Sequence, residues 1–310
     1  MRSPTVYILI LSWNGKRWLN ICLNSVLTTE YPNYKVVVVD NGSADGSSEY
    51  IRSNFPEIKV IQNRKNLGFA EGNNIGIRYA LKQGADYIIL LNQDTKVDPY
   101  WLFGLVNVAE NEKSYGILSP MQYDYEGKEL DRNFLKLIRV CKIFDCSQVD
   151  SQMKEVYEVP YVIGSAMLIT RELCEKVGLF DPLYFCYGEE TDLCRRARFY
   201  GFKVGIVTAS KIYHWHALVH TEEMSERSKM LFLRNQFLFL LKDPYRSFWE
   251  NLKDYIVWGE AKKIIRRYNN KFWRGFSYVL RVAYIQAWIL WHLPIIIYRT
   301  SKEKRQPCYL

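Results

Sequence analysis

The chain has no CxxC pair, so none of its four histidines stands at zinc-finger spacing from one. Its seven cysteines are odd in number, with Cys141 and Cys146 the nearest two. Neither a disulfide framework nor a structural zinc site is therefore expected, and a reducing, cytoplasmic setting is. Met1 leads almost directly into an apolar run too short for a secretory signal. No GxGxxG follows that run and no GxxxxGKS/T occurs anywhere. These absences argue against a dinucleotide-binding fold and a P-loop NTPase, whose glycines let the backbone close on phosphate. With 48% hydrophobic and 24% charged residues among 310, the chain has enough apolar surface to fold and is not disordered.

Charge is distributed unevenly. Of the 42 Lys/Arg and 33 Asp/Glu, residues 245–310 hold 13 bases and 4 acids, so the net charge of +9 sits entirely in this segment. A neutral body with a basic, aromatic tail argues against a nucleic-acid partner, for which the charge would cover the fold. It points instead to a membrane surface or another anionic partner.

Residues 5–11 form a continuous apolar, β-branched run, the pattern of a strand buried on both faces. Residues 16–27 place Trp18, Leu19, Cys22, Leu23, Val26 and Leu27 at helical spacing. Further strands are expected at 35–39, 58–61 and 87–91, with helices at 49–52, 69–82 and from Asp98-Pro99 to about 110. This alternation predicts an α/β protein with a mainly parallel, doubly wound sheet. After residue 119 the rhythm breaks. Residues 121–160 read as irregular, with an apolar patch at 134–144, and strands are expected at 161–170 and 203–207. A short helix should end at Gly178 and another should span 191–200; from about Ser225 the pattern is helical, basic and aromatic.

Ligands in open parallel sheets bind at the carboxyl ends of the strands. Ser12 and Asn14 follow the first strand, Asp40 and Asn41 the second, Asn63 and Asn66 the third, and Asn92, Gln93 and Asp94 the fourth. Such residues favour turns individually, but four successive strands ending this way describe a shared pocket. Asp40 is suited to accept hydrogen bonds from a base or ribose hydroxyl, and the oxygen-rich 92–94 segment suits Mg²⁺ or Mn²⁺ holding a diphosphate. Further on, Glu189, Glu190 and Asp192 crowd three carboxylates into four residues. Mutual repulsion would raise a pKa and create a general base, although acids also favour a helix's first turn. His214, with His216 nearby, suits either a buried hydrogen-bonding role or metal ligation.

Several of these stretches carry a resemblance. ILSWNG (10–15), VVVVDNGSADGS (36–47), NLGFAEGNNIGI (66–77) and LLNQDTKV (90–97) resemble family 2 glycosyltransferases, above all the rhamnosyltransferase-like branch. So do GSAMLITRE (164–172), VGLFDPLYFCYGEETDLCRRA (177–197), His214 and LRNQ (233–236). The resemblance implies a GT-A fold in residues 1–240, with a nucleotide-sugar-binding half at 1–118, an acceptor and catalytic half at 119–240, and a basic helical extension at 241–310. It implies inverting sugar transfer from a nucleotide-sugar. Ser12, Asn14, Asp40, Asn66, Gly68, Asn73, Asn92 and Asp94 would then line the donor site. Asp94 and His214 would hold a divalent cation, Mg²⁺ or Mn²⁺. Glu190 matches the catalytic base, with Asp192 supporting it and Glu189 as its rival. Asn92 stands where many members have Asp, a variant common in this branch, and Glu190 stands where Asp is usual.

In the tail, residues 282–298 form a 17-residue uncharged stretch containing Gln286, His292 and Pro294. It is short for a bilayer span, and Trp288, Trp291 and Tyr298 suit an interfacial helix. The alternative is packing on the catalytic domain or in a homo-oligomer. The expected partners are a nucleotide-sugar donor, a lipid-linked or glycan acceptor and the inner face of the cell membrane, with dTDP-rhamnose the first donor to test. Competing readings are a sugar-1-phosphate nucleotidyltransferase, which the single glycine of SWNGKR disfavours, and a non-catalytic nucleotide-sugar-binding scaffold.

Overall fold

β1 (Val6–Ser12) sends Val6, Ile8 and Ile10 into one buried cluster and Tyr7 and Leu9 into a second on the opposite face. The same alternation runs through β2 (Tyr34–Asp40) and β4 (Tyr87–Asn92), which is why their sequences are apolar without a break. The chain is described by a computed structural model over residues 2–143, 154–215, 224–256, 263–265 and 275–310. Phe144, Cys146, His216, Lys262, Arg266 and Arg267 lie outside the described residues.

Helices cover both faces of the sheet. α1 (Lys16–Leu27), α2 (Ser47–Asn54) and α4 (Trp101–Asn111) pack into the first cluster. α3 (Gly68–Lys82), α5 (Arg132–Cys141), α6 (Arg171–Val177) and α7 (Glu189–Phe199) pack into the second. The remaining strands are β3 (Lys59–Gln62), β5 (Thr95–Val97), β6 (Tyr115–Asp124), β7 (Val156–Glu158), β8 (Ala166–Thr170) and β9 (Lys203–His214). They join a nine-stranded sheet in the order β3-β2-β1-β4-β8-β6-β9-β5, with β7 also on β9.

The first four strands are parallel, as the alternation predicts. Beyond β4 the sheet is mixed: β8 runs antiparallel to β4 and β6, and β9 is parallel to β6 but antiparallel to β5 and β7. The order reverses between β2-β1 and β1-β4, so the switch-point crevice opens beside Ser12 and Asn92.

Three expectations need correction. Residues 132–141, read as irregular, form α5: Phe134, Leu137 and Ile138 recur at helical spacing, and Asp131 accepts the N–H groups of Asn133 and Phe134 as its N-cap. Within 161–170 only Ala166–Thr170 is strand. Helix α4 also begins two residues late, at Trp101, because the Asp98 carboxylate caps the N–H of Tyr100 in a preceding turn.

α8 (Glu226–Leu241), α9 (Phe248–Ile256) and α10 (Gly275–Glu303) follow. Leu233, Phe237 and Leu241 of α8 meet Tyr278, Ile285, Ile289 and Ile296 of α10 in a third cluster that includes Tyr184. The last residues then fold back: Leu179 donates to Cys308 O at 2.8 Å, and the Arg78 guanidinium donates to Tyr309 O at 2.9 Å.

Candidate active site

The loops after β1, β2 and β3 are knitted together before any ligand arrives. Asn14, held at φ +48°, donates its N–H to Ser43 Oγ (2.9 Å) and accepts from Ala44 N–H (2.9 Å). Asp40 is fully buried and accepts from Ser43 N–H (3.2 Å) and Ser48 Oγ (2.7 Å). Asn41 is the hub: its Nδ2 donates to Asn66 Oδ1 and Gly68 O, and its Oδ1 accepts from Asn63 Nδ2 and Leu67 N–H. The sequence reading placed Asn41 and Asn63 at the strand ends without a role; their role is to brace the pocket floor. Ser12 Oγ is buried there with no hydrogen-bond partner among the described residues.

Gly68 opens α3 at φ +85°, and a Cβ there would fall 2.4 Å from Phe185 O. That carbonyl accepts the N–H groups of Phe69 (2.6 Å) and Ala70 (3.2 Å), tying α3 to the segment leading into α7. Asn66 Oδ1 accepts from Gly68 N–H at 2.8 Å. Asn73, expected to line the donor site, is buried within α3 and donates back to Phe69 O at 2.9 Å, so it stiffens that first turn.

Asp94 and His214 are brought together by the pairing of β5 with β9. Asp94 Oδ1 and His214 Nε2 are 3.5 Å apart, and Asp131 Oδ2 stands 3.5 Å from His214 Nδ1. Burial pushes the imidazole's pKa down, but the Asp131 and Asp94 carboxylates outweigh burial and raise it to about 9. Asp131 thus caps α5 and faces the ring nitrogen opposite Asp94, the carboxylate–histidine support common at metal centres. The signal for Asp131 was its place before an apolar i, i+3, i+4 pattern. Asn92 ends β4, half-buried, with its N–H on Ser165 O at 2.9 Å.

One partly exposed carboxylate and one imidazole form an O,N donor pair that suits Mn²⁺ or Mg²⁺ if phosphate oxygens and water fill the other positions. No group of three or more His, Cys, Asp or Glu side chains that could hold a metal occurs among the described residues, so a ligand would have to complete the shell.

The carboxylates of α7 separate by environment. Glu189 is buried with Oε2 unpartnered, and burial, then the neighbouring Glu190 charge, raises its pKa well above the usual range. Glu190 is only half-buried; burial raises its pKa too, partly opposed by N–H groups of the helix start. A Cβ on Gly164 would lie 3.7 Å from Glu190 Cβ, and the next residue, Ser165, accepts from Asn92. Asp192, expected to support the base, is instead turned into the interior. It accepts from Arg196 Nε (2.8 Å), Arg195 Nη2 (3.3 Å) and Tyr184 Oη (3.1 Å), with Lys242 Nζ at 3.9 Å.

Comparison with known proteins assigns the class. Residues 7–178, more than half of the chain, match the family model for glycosyl transferase family 2. The chain belongs to that family. Among curated relatives it is 26% identical to the low-salt glycan biosynthesis hexosyltransferase Agl10 of Haloferax volcanii, covering 65% of this chain and 66% of that protein. It is 27% identical to the dTDP-rhamnosyl transferase RfbF of Shigella flexneri, over 68% of this chain and 69% of that one. It is 25% identical to the N-acetylglucosaminyl-diphospho-decaprenol L-rhamnosyltransferase of Mycobacterium tuberculosis, over 72% and 79%. The chain spans about two thirds of the length of the first two relatives. Among solved structures, GalNAc-T7 with UDP, GalNAc and Mn²⁺ aligns with a TM-score of 0.57 at 19% identity, covering 94% of this chain and 57% of that one. TarS 1–349 of S. aureus in complex with UDP aligns at 0.55 and 12%, covering 97% and 88%. The fold is GT-A.

Proposed function

We propose that the protein is an inverting glycosyltransferase that moves a sugar, rhamnose first among candidates, from a nucleotide-sugar to a lipid-linked or glycan acceptor at the inner face of the cell membrane. The observation that carries this reading is the Gly164–Ser165 step, which lies against Glu190 on one side and holds Asn92, two residues from Asp94, on the other. In this reading the step joins the proton acceptor to the strand end that leads to the cation-binding pair.

In this reading the braced loops around Ser12, Asn14, Asp40 and Asn66 receive the nucleotide, with Ser12 Oγ available to it. Asp94 and His214 would hold the divalent cation, which when bound offsets charge on the departing diphosphate. Glu190 takes the proton of the attacking acceptor hydroxyl, its raised pKa making it a better base than an ordinary glutamate. Its partial exposure favours it over the buried Glu189. With base and leaving group on opposite sides of the sugar, one displacement inverts the anomeric centre, by the logic that separates inverting from retaining glycosidases. The names of the relatives, two of them rhamnosyl transferases, support the donor.

The test is nucleoside-diphosphate release from a panel of nucleotide-sugars, with Mg²⁺, Mn²⁺ or EDTA and a lipid-linked acceptor extract. Metal-dependent release from one donor, lost in Asp94→Ala and Glu190→Gln, is expected. No release from any donor, with no donor binding by calorimetry, would sink the catalytic reading.

A further inference from the structure

α10 has two apolar faces. One, through Tyr278, Ile285, Ile289 and Ile296, is buried against α8. The other is bare: between Val279 and Tyr298 every exposed residue is apolar, aromatic or proline, including Leu280, Tyr284, Leu290, Trp291, Ile295 and Tyr298. Trp291 is 84% exposed. At about 1.5 Å per residue the stripe runs for about 30 Å, far longer than the scattered apolar groups of an ordinary soluble surface.

By length and composition Ser277–Glu303 could cross a membrane, but its C-terminal end is locked into the protein. Glu303 Oε1 bonds Lys242 Nζ at 2.7 Å, with Lys242 fully buried, and Arg299 pairs with the buried Asp181. Pulling α10 away to span would strip a buried lysine and a buried aspartate of partners, at a cost of several kcal/mol. The helix therefore stays on the domain and presents its bare face outward.

We infer that this face is a membrane-contact surface: α10 lies in the plane of an anionic bilayer, its stripe sunk to the level of the acyl chains. This rests on, and deepens, the proposed transfer to a lipid-linked acceptor. Charge selects the occupant. The described residues of 245–256, 263–265 and 275–310 hold eight bases and three acids, so two copies stacked through the stripe would bring like charges together, whereas anionic headgroups neutralise them. Tyr284, Trp291 and Tyr298 are the ring types that settle at the headgroup boundary. The buried cluster that anchors α10 also holds Asp192 of α7, so the helix carrying Glu190 is fixed in height above the lipid.

The test uses the full chain and a Leu290→Glu/Trp291→Glu variant, whose substituted side chains are both exposed in the wild type. Wild type should sediment with phosphatidylglycerol/phosphatidylethanolamine vesicles, bind phosphatidylcholine vesicles weakly and be released by alkaline carbonate. The variant should bind the anionic vesicles at least about tenfold more weakly. It should turn over a vesicle-embedded acceptor at least tenfold more slowly while keeping wild-type turnover of a water-soluble one. Equal vesicle binding by both proteins overturns the inference. So does retention through carbonate, or a wild-type dimer that the variant converts to monomer without any vesicle binding. Loss of turnover on every acceptor in both proteins would refute the transferase reading and leave the vesicle result standing.

Discussion

Replacing Lys242 with methionine removes one fully buried cation from among three buried carboxylates. Its Nζ lies 2.5 Å from Asp181, 2.7 Å from Glu303 and 3.9 Å from Asp192. The carboxylates would not be left bare. Asp181 keeps Arg299, Asp192 keeps Arg196 and Arg195, and Glu303 keeps the Tyr309 hydroxyl at 2.7 Å. The cost should therefore fall within the range for breaking a buried pair, about 3–5 kcal/mol. For 310 residues, with about 2.1 cal/mol/K of unfolding entropy per residue, that is a fall of about 5–8 °C in the melting midpoint.

The pH dependence gives a second reading of the same variant. Burial raises the pKa of Asp181 and Asp192, but Lys242 and the arginines outweigh it and hold both below the usual range. Groups held low contribute stability above their unfolded pKa and lose it as pH falls through the folded one. Without Lys242 the folded pKa values move up, so less of this stability is present at neutral pH, and on acidification the variant's carboxylates protonate before those of the wild type and relieve the uncompensated charge. The difference between variant and wild type should be widest at neutral pH and shrink below about pH 5. Urea or thermal unfolding at pH 7.5 and pH 4.5 measures this. A loss under 1 kcal/mol at neutral pH, or a gap that widens on acidification, would refute the assignment of Lys242 as the cluster's keystone charge.

Three further predictions follow from the site. Glu190→Gln should lower kcat by about 10²–10⁴-fold with donor affinity by calorimetry unchanged; the wild-type acid limb should have its midpoint above the ordinary glutamate value and vanish in the variant, whereas retained activity would move the base elsewhere. Asp131→Ala should weaken Mn²⁺ affinity, titrated with nucleoside diphosphate present, by about 10–100-fold through loss of His214's support, and lower stability by about 1 kcal/mol through loss of the α5 cap; unchanged metal affinity would separate the two roles. Gly68→Ala should cost about 2 kcal/mol or more, because the new Cβ meets Phe185 O, whereas Gly84→Ala, at φ +83° with nothing within 4 Å, should cost only about 1 kcal/mol. Equal melting shifts in that pair would remove the Phe185 contact from the account.

The parallel half was legible because burial on both faces leaves β1, β2 and β4 as unbroken apolar runs that no surface element imitates. The mixed half was not. β8 and β6 pair antiparallel across 50 residues of sequence, and nothing local in either strand encodes direction. Site residues divided on the same line. The strand-end place of Asp94 and the helix-start place of Glu190 were readable from their motifs, whereas the contact of Asp131 with His214 depends on β6 and β9 lying side by side. Asp192 misled because three clustered acids look alike in sequence; only the arrival of Arg196 and Lys242 shows that Asp192 is the one paired in the interior.

The tail illustrates how one segment can satisfy two environments. Residues 282–298 read as short for a bilayer span and suited either to an interface or to packing on the domain, and the fold gives α10 both a protein-facing side and a bare side. Polar anchoring runs along the protein-facing side, from Tyr278 on Ile265 O and Arg281 on Glu226 to Arg299 and Glu303, which enter the cluster shared with Asp181 and Asp192. Asp181 caps the turn that precedes Phe185, and Phe185 O in turn holds the start of α3. A continuous chain of short contacts thus runs from α10 through Asp181 and its turn to the start of α3, with α7 joined to it through Asp192 and Lys242. A substitution at any link should therefore disturb donor and acceptor sides together, which a tail tethered only by its sequence would not do.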